Sequence, residues 1–489
     1  MSTLEKLTPS DIWMYFEQIC QIPRPSKKEE KIIEFLLHFA KAHKLQAKTD
    51  EVGNVLIKKP ATKGMENRET VTLQSHIDMV CEKNSNITHD FNVDPIQPYI
   101  DGEWVKAKGT TLGADDGIGI AAQLALLAST NVPHGPLECL FTVDEETGLT
   151  GAFEMKEGFF EGKYLLNLDS EDEGELFIGC AGGVDTIITF DYEKETMPTG
   201  NVAYKLSVSG LSGGHSGDDI NKGLGNSIKI LNRFLWRTNT KYDLRLAMLE
   251  GGNLRNAIPR EAYTVFTIHQ DDIESMMKDF KEFVHDVKQE LHVTEPNIKV
   301  TLEPTEKPEF VIDEPTQYDL LNSLYACPHG VIEMSRDIPG LVETSTNLAS
   351  VKYIQDNQIL VCTSQRSSVA SSIKDISYMV ESVFRLANSK IVHSDGYPGW
   401  APNTNSTILN ISVESYKKQF GVEPKVRAIH AGLECGLFLE KYPYLDMISF
   451  GPTLRGVHSP DERLEIASVT KFWKLLVEVI ANIPVKKHS

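Results

Sequence analysis

The sequence predicts an α/β protein: a mixed, mostly parallel sheet flanked by helices, discontinuous in the chain, with an α+β lid domain inserted into it. Two changes of texture and one size argument predict this. Strand-like and helical runs alternate up to about Asp191, give way to strands patterned for one exposed face, and resume after about Ser389. A chain of 489 residues also exceeds what one core usually holds. The expected division is 1–190 and 389–489 for the discontinuous domain, and 191–388 for the insertion.

Taking the elements in order, Thr8-Pro9 reads as a helix start, with proline at the first helical position. Ser26 opens a second helix through KKEEKIIEFLLHFAKAHK. VTLQSHIDM (71–79) reads as a strand, DGIGIAAQLALLAS (116–129) as a nearly all-apolar buried helix, and LECLFTV (137–143) and YLLNLD (164–169) as further strands. In the insertion, NVAYKLSVSG and REAYTVFTIHQ alternate apolar and polar, while GNSIKILNRFLWR and DDIESMMKDFKEFVHDVKQEL have helical spacing. The succession of strand, helix, strands, helix and strand roughly recurs between about 311 and 390, which suggests two similar halves, although no sequence repeat marks them. Strand-like YPYLDMISFGP and the amphipathic VTKFWKLLVEVIANI close the chain.

Composition narrows the function. With 69 acidic and 49 basic residues the formal charge is −20, which repels phosphate backbones, so no nucleic acid is expected as a partner. No membrane is expected either: no apolar run approaches the ~18 to 20 residues that span a bilayer. The N-terminal MSTLEKLTPSD also lacks the basic and apolar regions of a signal peptide. The seven cysteines are scattered without a CxxC pair, which fits reduced thiols in the cytoplasm better than a disulfide framework. Any metal must then be held by histidines and carboxylates.

Five segments put acids or histidines at predicted strand ends, where ligand sites form in open α/β sheets: SHIDM (75–79), GADDGIG (113–119), VDEETG (143–148), NLDSE (167–171) and GVHSPDE (456–462). Each also has a plainer reading, as a polar strand end, a helix cap, a solvated turn or a surface loop. His76 and Asp78, two apart on a strand, share a face, so Asp78 could orient a metal-bound imidazole. Asp115 could bridge two cations ~3.5 to 4 Å apart, with Asp116 holding the turn. Glu146 could bind one metal while Glu145 stays unligated as general base towards a metal-activated water. Asp169 and His458 gain weight only by completing this set. In the insertion, GLSGGHSGDDI (210–220) sets His215 among glycines, as a hairpin turn with an incidental histidine or as a donor to a tetrahedral oxyanion. His134, His269 and His393 read as structural.

These segments, in this order and together with GGNLRNAIPREA and HAGLECGLF, resemble the co-catalytic zinc metallopeptidases that include carboxypeptidase G, aminoacylase and bacterial di- and tripeptidases. Within that family the wording is most similar to the aminoacyl-histidine dipeptidases, over essentially the whole chain. The resemblance implies a discontinuous catalytic domain with a lid. It also implies hydrolysis of short peptides, namely aminoacyl-histidine dipeptides including β-alanyl-histidine. Two divalent metal ions per subunit are implied, Zn2+ first and Co2+ or Mn2+ as alternatives. His76 and Asp169 match the terminal ligands of one ion, Glu146 and His458 those of the other, with Asp115 between them. Asp78 matches the orienting acid, Glu145 the base and His215 the lid histidine, and the Asp115–Asp116 peptide bond is implied to be cis. Asn256, Arg366 and Gly432 resemble positions that hold substrate termini or carbonyl, and a guanidinium suits a peptide carboxylate. A homodimer through the lid and a doubled insertion acting within one chain both stay open. So do a deacylase or carboxypeptidase on the same scaffold and a non-catalytic metal-binding assembly protein; metal binding alone does not require Glu145.

Overall fold

The computed structural model describes residues 4, 6–355 and 357–486. The chain divides into two compact units: Met1–Gly179 with Pro402–Ala428 and Glu434–Ser489, and Cys180–Ala401 with Ile429–Leu433.

An eight-stranded sheet lies at the centre of the first unit, in the order 46–49, 55–59, 137–142, 71–76, 164–167, 446–449, 175–180, 425–429. The middle four strands run parallel, and antiparallel pairs flank them. The sheet is therefore mixed, with a parallel heart, rather than mostly parallel. Connection length explains the difference: Gln46–Thr49 and Val55–Lys59 are joined by a tight turn at Gly53 (φ +106), which forces antiparallel pairing. Val71–His76 reaches its parallel neighbour Leu137–Thr142 through a crossover that includes the helix Ala114–Ala128. Val71–His76, Leu137–Thr142 and Tyr164–Asn167 are buried at every residue, as strands covered on both faces must be. The helix Ser10–Cys20 packs on Ala114–Ala128 and buries Trp13 and Phe16.

Two helix starts differ from expectation. Pro9 is the N-cap and Ser10 the first helical residue. The second helix runs Glu30–Ala42 instead of opening at Ser26, because the Ser26 hydroxyl donates to Asp78 (2.8 Å) and Lys27 turns the chain at φ 65.

In the second unit a larger sheet runs 299–304, 201–209, 262–269, 245–251, 342–354, 358–367, 182–191, 390–393, with 330–334 paired to 342–354. Phe234, Phe283, Leu320 and Phe384, from four helices, join its apolar core. Between the two halves of the sheet the strands 245–251 and 342–354 are in ladder register at Gly251 with Val351. Gly182–Asp191 pairs with Gln358–Ser367 and with Lys390–His393, which carries the seams to 179/180 and 401/402 from the expected 190/191 and 388/389. Among the described residues no helix is long and apolar enough to cross a membrane.

Candidate active site

Within the first unit, five side chains distant in the chain meet where the parallel strands end. Val71–His76 delivers His76, whose Nε2 lies 3.1 Å from Asp115 Oδ1 and 3.4 Å from Asp169 Oδ1. His458 Nε2 lies 3.2 Å from Asp115 Oδ2 and 3.0 Å from Glu146 Oε2. Asp115 thus turns one oxygen to each imidazole. Two donor groups result, His76–Asp115–Asp169 and Asp115–Glu146–His458, each with ligand atoms within 4.8 Å of one another. His76, Glu145 and Glu146 satisfy the same condition.

The adjacent acids of GADDGIG divide the plain role and the chemical one. Both are non-helical, Asp115 at φ −81, ψ 113 and Asp116 at φ −98, ψ 35, and the bond between them is cis. Asp116 Oδ1 accepts the Gly119 N–H at 3.1 Å, capping the helix that follows. Asp115 is left to face the imidazoles.

Asp78, fully buried, accepts at Oδ1 from His76 Nδ1 (3.3 Å) and the Glu145 N–H (3.0 Å), and at Oδ2 from the Glu146 N–H (3.2 Å). One carboxylate therefore fixes the His76 ring and also holds the turn that carries both glutamates. Burial alone would raise the Asp78 pKa, but the bonds from His76, Ser26 and the Glu145 N–H outweigh it and the net shift is downward.

The surrounding carboxyls respond in the opposite sense. Burial, reinforced by neighbouring acids, pushes Asp169 up to about 7 and Glu171 up to about 8. Burial likewise lifts Glu434 to about 8 and Glu145 well above the usual carboxylate range. His458 is raised to about 11 by its bonds to Asp115 and Glu146. Burial alone would lower His76, yet Asp169 and Asp115 raise it well above its ordinary value. Asp115 would be raised by burial, but the two imidazoles hold it far below the carboxylate range.

This donor set fits metal ions. Among the described residues no lysine or arginine pairs with Asp78, Asp115, Glu145, Glu146 or Asp169; Asp78, Asp115, Glu146 and Asp169 form ion pairs with histidine alone. Glu146 Oε1 and Asp116 Oδ2 are buried without a hydrogen-bond partner. Buried anions in this condition need cations. Imidazole and carboxylate donors without thiolate suit zinc, cobalt or manganese.

Three further acids and one base shape the site without having been given a role from the sequence. Glu434, in HAGLECG, accepts from Gln74 Nε2 (2.6 Å) and Thr142 Oγ1 (2.8 Å). Glu171 follows Asp169 in NLDSE, Glu462 follows His458 in GVHSPDE, and Arg24 lies before the second helix. An extra acid inside a motif was the available signal for the first three. Arg24 had none.

The other candidates gather in the second unit. His215 and Ala257 pair in a two-stranded ribbon, beside which the Ser216 N–H donates to Asn256 O (2.8 Å). His215 Nδ1 accepts from the Gly217 and Asp218 N–H groups, both at 3.2 Å. Burial first, then the Arg366 charge, lowers the His215 pKa. Arg366 donates to the Tyr397 hydroxyl at 3.1 Å, and a Cβ on Gly432 would lie 2.8 Å from the Tyr397 ring. His430, which carried no expected role, bonds Ser345 Oγ at 2.7 Å.

Comparison with known proteins places the chain. The profile of Peptidase family M20/M25/M40 matches residues 72–482. Cytosol non-specific dipeptidase of Escherichia coli (strain K12) is 44% identical over 486 residues, 99% of this chain and 100% of that protein. The crystal structure of aminoacylhistidine dipeptidase from Vibrio alginolyticus superposes with a TM-score of 0.92 at 45% identity, covering 99% of each chain. Aminopeptidase PepT from Bacillus cereus, at 14% identity over 98% of this chain and 99% of that one with a TM-score of 0.57, shares the fold. The chain belongs to the peptidase family M20/M25/M40 and is a hydrolase of peptide bonds.

Proposed function

We propose that the chain is a cytosolic dipeptidase that hydrolyses aminoacyl-histidine dipeptides, β-alanyl-histidine among them. The carrying observation is Asp115 shared between His76 and His458, with the half-buried carboxyl of Glu145 next to them. His76 and Asp169 would hold one divalent ion and Glu146 and His458 another, most simply Zn2+, with Asp115 common to both. Such ions, when bound, supply Lewis acidity towards a peptide carbonyl and towards water.

The remaining chemistry belongs to side chains. Glu145, lifted by burial, is matched to take a proton from water and return it to the leaving amine. Asp78 keeps His76 in the tautomer whose Nε2 faces the donor group. His215, with two N–H groups on Nδ1, carries its proton on Nε2, ready to donate to a carbonyl oxygen that gains charge. Arg366 is 8% exposed, has no carboxylate partner among the described residues, and leaves Nε unbonded, which suits a substrate carboxylate. Asn256 and Gly432 would complete the substrate contacts.

The substrate class rests on the relatives' names, which differ in breadth: one is called non-specific, the other aminoacylhistidine dipeptidase. A panel of β-alanyl-histidine, alanyl-histidine, dipeptides lacking histidine and N-acetyl amino acids tests it. The expected result is free histidine from the first two at the highest kcat/KM, loss of all turnover on chelation, and recovery with Zn2+, Co2+ or Mn2+. Preferential cleavage of the N-acetyl amino acids would make the protein a deacylase, and no turnover of any compound would make it non-catalytic.

A further inference from the structure

Four successive backbone N–H groups converge on one buried carboxylate beside the donor set. Glu462, 2% exposed, accepts through Oε2 from Leu112 (2.7 Å) and Gly113 (2.9 Å), and through Oε1 from Ala114 (2.8 Å) and Asp115 (3.3 Å). The carbonyl side of the same loop is taken by Arg24, also 2% exposed. Its Nη2 donates to Gly113 O, and its Nη1 to Ile77 O (3.0 Å) and Asp78 O (2.5 Å). Among the described residues neither charge has a side-chain ion pair; each is spent on backbone dipoles. The glycines of GADDGIG make room for this. A Cβ on Gly113, itself at φ +68, would lie 2.7 Å from Arg24 Nη2, and one on Gly117 would lie 2.8 Å from it.

We propose that Glu462 and Arg24 are positioning residues that set Asp115 between the two imidazoles before any cation arrives. Glu462 ties the Asp115 loop to the segment that carries His458, four residues earlier in the chain. Arg24 ties the same loop to the end of the strand that carries His76. Three segments far apart in sequence are thereby held in one geometry, so that a cation meets donors already in place and the cost of ordering them is not charged to binding. The proposal rests on the two-cation reading of the site.

Replacing Glu462 by glutamine keeps the shape but leaves one accepting oxygen and turns an NH2 group towards two N–H donors. Zn2+ titration of the chelator-stripped protein is expected to show one site weakened by roughly 10- to 100-fold in Glu462→Gln. Asp446→Asn is the control. Asp446 caps the helix Thr407–Phe420 in the same unit, accepting from the Thr407 (2.8 Å) and Ile408 (3.1 Å) N–H groups. Its loss should lower Tm and leave both Zn2+ affinities in place. A folded Glu462→Gln variant with both affinities unchanged would overturn the proposal, even if its Tm fell.

Should that variant not fold, wild-type amide exchange decides. In the metal-free protein a peptide covering Leu112–Asp115 should stay protected, because its N–H groups are already bonded to Glu462. Rapid exchange there, suppressed only by Zn2+, would mean that the cation builds the geometry, and the proposal would fail. A wild-type stoichiometry below two Zn2+ would strike the reading of the site itself, and that is visible before any variant is made.

Discussion

The two imidazoles of the site are chemically alike and mechanically opposite. His76, 1% exposed, ends a strand buried at every residue and has Nδ1 on Asp78. His458 is 53% exposed and stands at φ 58 in the loop between the short strands Leu454–Arg455 and Arg463–Glu465. The first takes its position from sheet register, which cannot slip by one residue without exchanging the face of Val71 and Leu73 with that of Thr72, Gln74 and His76. The second depends on a loop and on what holds that loop. One half of the donor set is therefore part of the fold, and the other is attached to it.

Glu145 tests where the boundary of that comparison runs, with the largest expected effect. If Glu145 is the proposed base outside both halves, its replacement by alanine should lower kcat by roughly 10²- to 10⁴-fold and leave the zinc content of the loaded protein at the wild-type two per chain. Turnover and metal content by mass spectrometry, measured on one preparation, check this. Loss of zinc instead would draw Glu145 into the donor set, through its grouping with His76 and Glu146, and would break the division into two halves.

The halves themselves separate in the metal-free protein. His76→Ala strips a buried imidazole from Asp78, Asp115 and Asp169 and should cost about 3 to 5 kcal/mol. His458→Ala removes a half-exposed partner of Asp115 and Glu146, where solvent screens the charges, and should cost under about 1 kcal/mol. Urea denaturation of the two chelated variants gives both numbers. Equal losses would show that the loop is as much part of the core as the strand.

The same division explains what could be read in advance. The parallel heart of the sheet was legible because wholly apolar runs mark strands covered on both faces. Gly182–Asp191 was not assignable to a sheet, since its mixed pattern of buried and exposed residues suits an edge of either one and only pairing with Gln358–Ser367 decides. The five donor side chains were legible as a group because each ends an apolar strand, opens an apolar helix or completes a familiar motif. Glu462 was written in the same motif as His458, but its partners are backbone amides some 350 residues away, and nothing local encodes such a bond. Ser26 shows the converse: a hydroxyl suits a helix cap or a carboxylate equally well, and the carboxylate of Asp78 lay out of sight.

A smaller effect, of protons rather than turnover, sharpens the comparison further. A histidine whose folded pKa is raised contributes stability that is complete below its unfolded value near 6.5 and is lost as pH rises through the folded value. For His458 that window opens near 6.5 and extends upward, and the ring's exposure to solvent keeps its depth small. Raised carboxyls act in the same direction: Asp169, at about 7, and Glu171, at about 8, keep protons in the fold that the unfolded chain has already released. Stability of the metal-free protein should therefore fall from about pH 6 to about pH 9. Zinc must displace these protons, so its binding near neutral pH should release more than one of them, read from calorimetry in buffers of different ionisation heat. His458→Ala should release fewer. Salt then distinguishes the halves, because mobile ions screen the exposed pair and scarcely reach the buried one. In the metal-free protein high salt should lower the pH at which His458 gives up its proton, followed by imidazole NMR, and leave that of His76 where it was. A shift equally small at both rings would mean that His458 is as shielded in solution as His76, and the mechanical difference between the two imidazoles would disappear.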